Sequence, residues 1–315
     1  MIKVEHIKKK LLVYLTQIKN KFHLNEKLKV GIISVLEAGK KIAAIYQTDF
    51  KVKMKAENDP VTLADMEAHY TILDAISKNF PEDLLLSEED IPTWERRSNY
   101  KNIWILDPLD GTRDFVEKNP EFAVSLGYVE NGLTKFGILY NPISNELFFG
   151  GENIPFFTDK LVSEQDPSAY VESIVKENLD TSLPKMHHSE IGDTKLFIYV
   201  SKNEWKDGLF RFLENDENIK IQGIGSIAYK LGLLARNDCH LILSLKPKNE
   251  WDICAGVAIL HGLGMTYLDL ENLQAHRFNK ESTKSIGFIA GYPQLVESFL
   301  LKYKPILQTN LKDWS

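Results

Sequence analysis

Five short apolar or alternating runs between Leu84 and Gly151 are the feature that most constrains the fold of this chain. They read LLLSEED, NIWILDPLDG, FAVSLGYVENG, TKFGILYNP and ELFFGG, and Gly, Asn and Pro separate them. Period-two runs bounded by such turn residues predict β-strands, and Glu130-Asn131-Gly132 predicts a hairpin between two of them. The first part of the chain is therefore predicted to contain a β-sheet.

Two helices are predicted before these strands. Residues 31–46, GIISVLEAGKKIAAIY, place apolar residues at helical spacing, and a polar, lysine-rich loop is predicted after them. The next helix follows turn chemistry at Asp59-Pro60, with Thr62 as its N-cap and Asp65 in its first turn. The predicted apolar face of this helix comprises Leu63, Met66, Tyr70, Leu73 and Ile76.

The chain after Lys195 alternates between strand and helix patterns. LFIYVS, CHLILSL and SIGFIAG predict strands, whereas SIAYKLGLLA and DICAGVAILHGLG predict helices, the latter stopped by Gly262 and Gly264. Alternation of this kind predicts an α/β arrangement. Because 315 residues are many for one compact unit, we predict an α+β lobe over residues 28–190 and an α/β lobe over 191–315. Residues 150–190 are polar and predict a linker or a variable excursion.

The N-terminal segment is basic. Its first thirty residues hold eight lysines and two glutamates, and Ile7, Leu11, Leu15 and Ile18 recur at helical spacing. Residues 1–27 are therefore predicted to form a basic helical extension, docked on its own domain with a solvated lysine face. Binding of residues 1–22 to an anionic membrane surface is the alternative.

Composition narrows the functional classes. A net charge of −6 argues against a general basic surface for polymeric nucleic acid. The longest apolar run near the N-terminus is too short for a signal peptide or a bilayer span. Cys239 and Cys254 match no zinc or disulfide spacing and predict buried fillers in a reducing compartment. We therefore predict a cytoplasmic protein.

The segment ILDPLDGT, residues 105–112, carries the first chemical signal. Asp107 and Asp110 follow an apolar strand, Pro108 is predicted to end that strand, and Gly111 permits a tight turn. A helix start near Thr112 offers backbone N–H groups to a phosphate. Two carboxylates this close repel each other unless a cation binds between them, and Mg²⁺ suits oxygen ligands. A solvated acidic turn explains the motif equally well when it is taken alone.

Further carboxylates stand at other element ends. Glu88 lies in the acidic cluster after a strand, Asp65 at a helix start, and Asp252 before an apolar helix. Each has a plain structural explanation, such as solvation or favourable interaction with a helix dipole. LDGT also occurs in haloacid-dehalogenase-type phosphatases, but Pro108 occupies the position of their nucleophile and excludes that mechanism.

The motifs taken in order resemble a known family. DPVTLAD, LLSEED, ILDPLDGTRDF, EFAVSLGYVENG, GSIAYKLGLLA and EWDICAG, between about Leu28 and Gly291, are similar to motifs of the inositol monophosphatase superfamily of magnesium-dependent, lithium-sensitive phosphatases. DGTRDF and LSEED are closest to its CysQ branch of 3'(2'),5'-bisphosphate nucleotidases. The resemblance implies an α/β (α+β) protein with the layered αβαβα sugar-phosphatase fold.

The resemblance also implies two or three Mg²⁺ ions in one site. The ligands of the first would be Glu88, Asp107 and the backbone carbonyl of Leu109. Those of the second would be Asp107, Asp110 and Asp252, with Asp107 bridging the two ions. A third, weaker ion would be held by Asp65.

Catalytic and substrate-binding roles are implied in the same way. Thr112, paired with Asp65, and Glu88 would orient the attacking water. The backbone N–H groups of Gly111 and Thr112 would receive the phosphate. Gly225 and Ser226 fall where the family contacts the leaving group.

The expected activity is Mg²⁺-dependent removal of the 3'-phosphate of adenosine 3',5'-bisphosphate. An inositol-1-phosphate or other sugar-phosphate phosphatase is the alternative within the family, and a non-catalytic nucleotide-binding or membrane-surface protein is the alternative outside it. VSKNEW and SLKPKNEWD depart from typical CysQ sequences. In the latter, Lys246 and Lys248 would either contact a second phosphate or be solvated. The sequence does not decide whether the protein forms a homodimer.

Overall fold

The computed structural model describes residues 2–56, 59–161, 166–178 and 195–311. The helices of these ranges are α1 (Ile2–Tyr46), α2 (Leu63–Asn79), α3 (Trp94–Arg97), α4 (Thr112–Val116), α5 (Pro167–Asn178), α6 (Lys202–Lys206), α7 (Arg211–Glu214), α8 (Ile227–Ala235), α9 (Glu250–Gly262) and α10 (Pro293–Leu311). The strands are β1 (Val52–Ala56), β2 (Asp59–Thr62), β3 (Leu84–Ser87), β4 (Asn102–Asp110), β5 (Ala123–Glu130), β6 (Leu133–Asn141), β7 (Glu146–Gly151), β8 (Ile154–Lys160), β9 (Leu196–Ser201), β10 (Ile219–Ile224), β11 (Leu241–Asn249), β12 (Thr266–Asp269) and β13 (Lys284–Gly291).

The predicted strand series forms a six-stranded sheet in the order β3-β4-β5-β6-β7-β8. The β3–β4 pair is parallel, and the other pairs are antiparallel. Asn131 and Gly132 both have positive φ, at 53° and 78°, as a two-residue type I′ hairpin requires. The hairpin prediction is therefore confirmed.

The second sheet has five strands in the order β10-β9-β11-β13-β12. Its β10–β9 and β9–β11 pairs are parallel, and β13 pairs antiparallel with both neighbours. Helices α8 and α9 lie between the two sheets, α1 and α2 cover the outer face of the first, and α10 covers the second. This succession confirms the predicted αβαβα layering.

Helix α9 packs closely against the first sheet because the residue of β6 that faces it, Gly137, has no side chain. A Cβ atom built at Gly137 would overlap the backbone carbonyl of Ala255 in α9. The sheet and the helix backbone are therefore in direct contact at this point, and that contact helps fix the position of α9 in the middle layer.

Substitution Gly137→Ala is expected to destabilise the protein by about 1–3 kcal/mol, since a side chain here overpacks rigid backbone on both sides. Urea unfolding monitored by circular dichroism measures the change. Gly150→Ala is the matched control, because Gly150 lies in β7 of the same sheet without a positive φ and a Cβ atom there comes no nearer than 3.3 Å to a neighbour. It should change the midpoint much less. An unchanged unfolding midpoint for Gly137→Ala would contradict the proposed close contact.

The predicted apolar face of α2 is wrong at Leu63 and Tyr70 and right at Ile76, whereas Met66 and Leu73 are half-buried. Leu63 and Tyr70 are 57% and 53% exposed. The buried side chains are Ala64, Asp65, Ala68, His69, Ile72 and Ile76. The helix begins with a capping box between Thr62 and Asp65 that turns Asp65 inward. The other oxygen of Asp65 accepts from Thr112, so the inner face of α2 carries a polar residue that the apolar pattern does not predict.

Two predicted irregular segments contain regular structure. The lysine-rich stretch after α1 forms an antiparallel pair, β1–β2, which includes the predicted turn at Asp59-Pro60. Residues 150–190 include β8 and α5, and residues 162–165 and 179–190 lie outside the described residues. Residues 50–56, FKVKMKA, alternate between apolar residues and lysine, so a strand signal was present there and the lysines alone suggested a loop. In IPFFTDK, the sequence of β8, alternation is weak.

Helix α1 runs through the predicted boundary at residue 27 without a break. The Lys27 side chain is fully buried and donates a hydrogen bond to Asp83, so α1 has joined the core by this point. Within the described ranges, every helix lacks either the length or the apolar content of a bilayer span. The boundary near residue 190 falls outside the described residues, and both lobe boundaries remain predictions.

Candidate active site

A cleft of about 330 Å³ opens where the ends of β4, α8 and α9 meet. Its walls contain five acidic and two basic side chains among polar and backbone groups. The charged residues that line it are Glu88, Asp107, Asp110, Arg113, Asp114, Lys248 and Asp252. The excess of negative charge marks this cleft as a candidate site for cations.

Strand β4 supplies two of the carboxylates through a bulge. Its pairing with β5 shifts register between Asp107 and Asp110, so β4 carries one extra residue there. The expectation that Pro108 ends the strand is wrong, because the strand continues to Asp110. A bulge accommodates a proline, which has no N–H group to pair, and it turns both aspartates towards the cleft.

Both aspartates are held by local hydrogen bonds. Asp107 is 2% exposed, and its Oδ1 accepts from the Leu109 N–H group at 2.9 Å. Asp110 Oδ2 accepts from the Ala228 N–H group at 2.6 Å and from the Ser226 hydroxyl group. Asp110 therefore anchors the start of α8 to the end of β4.

Asp252 enters the cleft from the first turn of α9. Its Oδ2 accepts from the Asn249 N–H group at 2.9 Å in a capping box, which fixes the orientation of the carboxylate. One carboxylate oxygen each from Asp107, Asp110 and Asp252 lies within 4.8 Å of the others. Helix α9 thus places its aspartate directly against the two from β4.

Crowding of these three carboxylates changes their acidity. Burial, followed by the charges of Glu88, Asp110 and Asp252, raises the pKa of Asp107 well above its ordinary value. Burial also raises the pKa of Asp110. Burial and the neighbouring charge of Asp110 raise the pKa of Asp252 to about 8. The cluster is therefore costly to ionise unless a cation joins it.

Glu88 lines the same cleft from the end of β3. Its N–H group donates to the Leu106 carbonyl at 3.1 Å, which continues the parallel pairing with β4 past Ser87. Glu88 is not one of the three residues within 4.8 Å of one another. Its charge nevertheless acts on both Asp107 and Asp252.

Asp65 and Thr112 form a hydrogen-bonded pair behind the cleft. Thr112 lines the cleft, and its hydroxyl group lies 3.0 Å from Asp65 Oδ1 and 3.1 Å from the Leu109 carbonyl. Asp65 Oδ2 accepts from the N–H and hydroxyl groups of Thr62, each at 2.7 Å. Asp65 is 2% exposed and does not itself line the cleft, so it acts on the site through Thr112.

Gly111 shapes the turn between β4 and α4. It has φ +99° and is the N-cap of α4, which begins at Thr112 as predicted. This conformation favours glycine because it has no Cβ atom. The turn brings the backbone at Gly111 and Thr112 into the cleft wall.

Gly225 and Ser226 form the opposite wall, but their polar groups are largely used within the protein. The Gly225 N–H group donates to Glu121 at 2.7 Å. The Ser226 hydroxyl group donates to Asp110 and accepts from the Tyr229 N–H group at 2.9 Å. These two residues therefore shape the wall and hold Asp110 and α8.

Two lysines lie near the site: the buried Lys230, which was not predicted, and the half-buried Lys248, for which the sequence left a phosphate contact or solvation open. Lys230 donates to the Ile224 and Gly225 carbonyls at 2.8 and 2.9 Å, and burial lowers the pKa of this lysine to about 8. Lys248 lines the cleft and pairs with the buried carboxylate of Glu204 at 3.0 Å. A single lysine inside the apolar run SIAYKLGLLA was the sequence signal for Lys230.

The whole chain, including the residues of this cleft, was compared with models of protein families. The model of the inositol monophosphatase family matches residues 23–295 of the chain. The chain belongs to the inositol monophosphatase family. Family members are phosphatases, so the cleft at the end of β4 is the candidate active site of a phosphatase.

Individual relatives within the family have different activities. The chain is 28% identical to the 3'(2'),5'-bisphosphate nucleotidase CysQ of Escherichia coli over 254 residues, which is 80% of this chain and 94% of that protein. It is also 28% identical to the fructose-1,6-bisphosphatase/inositol-1-monophosphatase of Thermotoga maritima over 264 residues, 83% of this chain and 88% of that protein.

A solved structure supports the same branch of the family. CysQ from Bacteroides thetaiotaomicron, a bacterial family member, superposes with a TM-score of 0.70 at 26% identity. The match covers 86% of this chain and 98% of that one. The predicted resemblance to the family and to its CysQ-like branch is therefore confirmed.

Proposed function

We propose that this phosphatase removes the 3'-phosphate of adenosine 3',5'-bisphosphate in a Mg²⁺-dependent reaction. The observation that carries the proposal is the convergence of Asp107, Asp110 and Asp252 within 4.8 Å in one cleft. The similarity to nucleotidases of the CysQ branch supports the choice of substrate.

The donor set fits Mg²⁺. Carboxylate and carbonyl oxygens are hard ligands. Burial and mutual repulsion raise the pKa values of the three aspartates, so a bound cation would stabilise their ionised forms. The residues that would hold the first two ions are Glu88, Asp107, the carbonyl of Leu109, Asp110 and Asp252. Asp65, which does not line the cleft, would hold a third ion through water. When bound, Mg²⁺ supplies charge neutralisation at the phosphate and a lower pKa for the nucleophilic water.

Thr112 and Glu88 would orient the attacking water. The Thr112 hydroxyl group has one hydrogen, and both acceptors within reach, Asp65 and the Leu109 carbonyl, belong to the protein. Its lone pairs are therefore left to accept a hydrogen bond from water in the cleft. The Glu88 carboxylate can accept the other hydrogen, and the pair would fix the direction of attack.

The two lobes would contribute different parts of the remaining chemistry. The turn at Gly111 and the start of α4 present backbone to the phosphate oxygens. Asp252 uses Oδ2 for its capping box, which leaves Oδ1 to orient a water that protonates the departing 3'-oxygen. Phosphate-monoester hydrolysis needs little covalent help, so positioning of this kind dominates catalysis.

A second cavity provides room for a nucleoside. It measures about 530 Å³ and adjoins the carboxylate cleft, with which it shares wall residues. Trp205 contributes an aromatic wall, and the cations Arg113, Lys202 and Lys206 lie around it. A base and a ribose need an aromatic or apolar surface together with polar contacts, which this cavity offers.

Lys248 would recognise the second phosphate. Glu204 is 1% exposed and binds three partners: Lys248 at 3.0 Å, and the Ser244 hydroxyl and Leu245 N–H groups, each at 2.7 Å. The Lys248 ammonium group lines the cleft and also lies 3.3 Å from the Lys246 and Pro247 carbonyls. A bound phosphate would replace one of these two long contacts. Lys246, two residues earlier, pairs instead with Asp207 outside the cleft.

Substitution Lys248→Met is therefore expected to lower kcat/KM for adenosine 3',5'-bisphosphate by about 10–100-fold, the cost of one hydrogen bond to a charged group. The value for adenosine 3'-monophosphate, which lacks the second phosphate, should change little. Lys246→Met is the matched control and should leave both values unchanged. Equal losses for both substrates would give Lys248 a purely structural role.

A panel of phosphate esters assayed with Mg²⁺ tests the proposed activity itself. Adenosine 3',5'-bisphosphate should be hydrolysed with the highest kcat/KM, ahead of adenosine 3'-monophosphate and inositol 1-phosphate. The T. maritima relative makes inositol-1-phosphate hydrolysis the specific alternative. A preference for inositol phosphate would replace the proposed substrate and leave the proposed chemistry standing, whereas no hydrolysis of any ester would reject both.

A further inference from the structure

Arg97 lies on the segment that joins two proposed metal ligands, Glu88 and Asp107, yet it does not line the cleft. It is the last residue of α3 and only 3% exposed. Burying a guanidinium group is costly unless every donor is satisfied. The partners of this side chain therefore indicate what it does.

The partners of Arg97 lie mostly on one distant turn. Its Nε donates to the Pro92 carbonyl at 3.0 Å within its own segment. Its Nη1 and Nη2 atoms donate to the Asn279 side chain at 3.1 Å, the Lys280 carbonyl at 2.8 Å and the Glu281 carbonyl at 3.0 Å. The Asn279 amide returns a hydrogen bond to the Arg97 carbonyl at 3.2 Å. Both terminal nitrogens of the guanidinium group are thus hydrogen-bonded to the turn at residues 279–283.

Glu250 holds the same turn from the other side. This residue is the first of α9 and fully buried. Its carboxylate accepts from the N–H groups of Asn279 at 2.7 Å and Lys280 at 3.0 Å, and its own N–H group donates to the Thr283 carbonyl at 2.8 Å. The carbonyl groups of the turn therefore face a cation, and its N–H groups face an anion.

We call Arg97, Glu250 and the turn at residues 279–283 the clasp. Its residue nearest to Asp252 in sequence is Glu250, two positions earlier in α9. The sheet fixes α9 at Gly137 and Ala255, one turn further along the helix. The first turn of a helix has N–H groups without partners in the helix, so its position depends on contacts from outside. The clasp supplies such contacts and ties them to the segment that begins at Glu88.

We propose that Arg97 is a positioning residue for the metal centre, acting through the turn at residues 279–283 to hold Asp252 against the carboxylates of the first lobe. This inference rests on the metal centre of the proposed function. Arg97 itself touches neither metal nor substrate. Groups that orient metal ligands typically change metal affinity by about 10–100-fold when they are altered.

Substitution Arg97→Lys tests the proposal, because an ammonium group keeps the charge but lacks the planar fork. Isothermal titration calorimetry of the full chain with MgCl₂ alone should show about 10–100-fold weaker binding of at least one ion. The activity should require correspondingly more Mg²⁺, and saturating Mg²⁺ should restore kcat. Such rescue distinguishes a positioning role from general loss of structure.

Arg236→Lys is the matched control. Arg236 also makes a fork of hydrogen bonds, to Glu146 and Asp238, but at the far end of α8 and away from the cleft. This variant should lose stability and bind Mg²⁺ as the wild type does. A second variant, Asn279→Gly, removes two of the clasp hydrogen bonds without strain, since Asn279 has φ +57°. It should weaken Mg²⁺ binding in the same direction.

Wild-type Mg²⁺ affinity in both Arg97→Lys and Asn279→Gly, with only the melting temperature lowered, would overturn the proposal. Failure of the wild-type chain to bind Mg²⁺ would instead reject the proposed function. The two failures are therefore separated in one titration series.

Discussion

Replacing Asp107 with asparagine is expected to reduce turnover by about a hundredfold to a thousandfold while making the metal-free protein more stable. The activity loss follows because Asp107 stands at the centre of the carboxylate cluster, and removal of a single electrostatic group at a reaction centre costs about 10²–10³ in kcat. The gain in stability follows because a neutral amide no longer repels Glu88, Asp110 and Asp252. One substitution thus moves activity and stability in opposite directions.

Steady-state kinetics with Mg²⁺ and urea unfolding in EDTA measure the two effects of Asp107→Asn. Asp207→Asn is the control, because Asp207 is an exposed carboxylate paired with Lys246 outside the cleft. It should leave turnover unchanged. Activity that survived in Asp107→Asn would show that the site has been assigned to the wrong residues.

Without Mg²⁺, the wild-type protein is expected to lose stability as the pH rises, and bound Mg²⁺ should remove most of that dependence. An aspartate with a raised pKa in the folded state holds its proton at pH values where the unfolded chain has released it. The folded state then binds more protons than the unfolded state, so the free energy of unfolding falls as the pH rises. For Asp252 the window runs from about pH 4 to about pH 8.

The measurement is urea unfolding across this window in EDTA and in saturating Mg²⁺. The raised pKa values of Asp107 and Asp110 act in the same direction as that of Asp252. Asp107→Asn should show a shallower decline than the wild type in EDTA, since one of the coupled groups no longer titrates. A stability that rises through the window in EDTA would contradict the proposed electrostatic cost of the cluster.

Local signals in the sequence were sufficient for much of the fold. Short apolar or alternating runs bounded by turn residues predicted the strands from β3 to β7, because a sheet covered by helices on both faces buries nearly every residue of its strands. Asn131 and Gly132 predicted their hairpin because few residues accept positive φ. Thr62 and Asp65 predicted the start of α2, since a capping box is complete within four residues.

Predictions failed where distant contacts outweigh local preference. Pro108 ends a strand by its own chemistry, but the bulge against β5 accommodates it. The apolar residues Leu63 and Tyr70 are exposed because Asp65 turns inward to meet Thr112. In both cases a residue next to the candidate site departs from the local rule, and the partner that causes the departure is far away in sequence.

By itself, the sequence identified the family of the chain and predicted the acidic residues of the candidate site. The carboxylates that could be recognised in the sequence are those at the ends of predicted strands or the starts of predicted helices, namely Asp65, Glu88, Asp107, Asp110 and Asp252.

Only the tertiary structure decided that three of these carboxylates meet within 4.8 Å, that Lys248 faces the cleft while Lys246 does not, and that Arg97 reaches α9 through a turn. The physical reason is that these distances depend on how α9 packs between two sheets, and such packing is fixed by the whole chain and not by any local stretch of it.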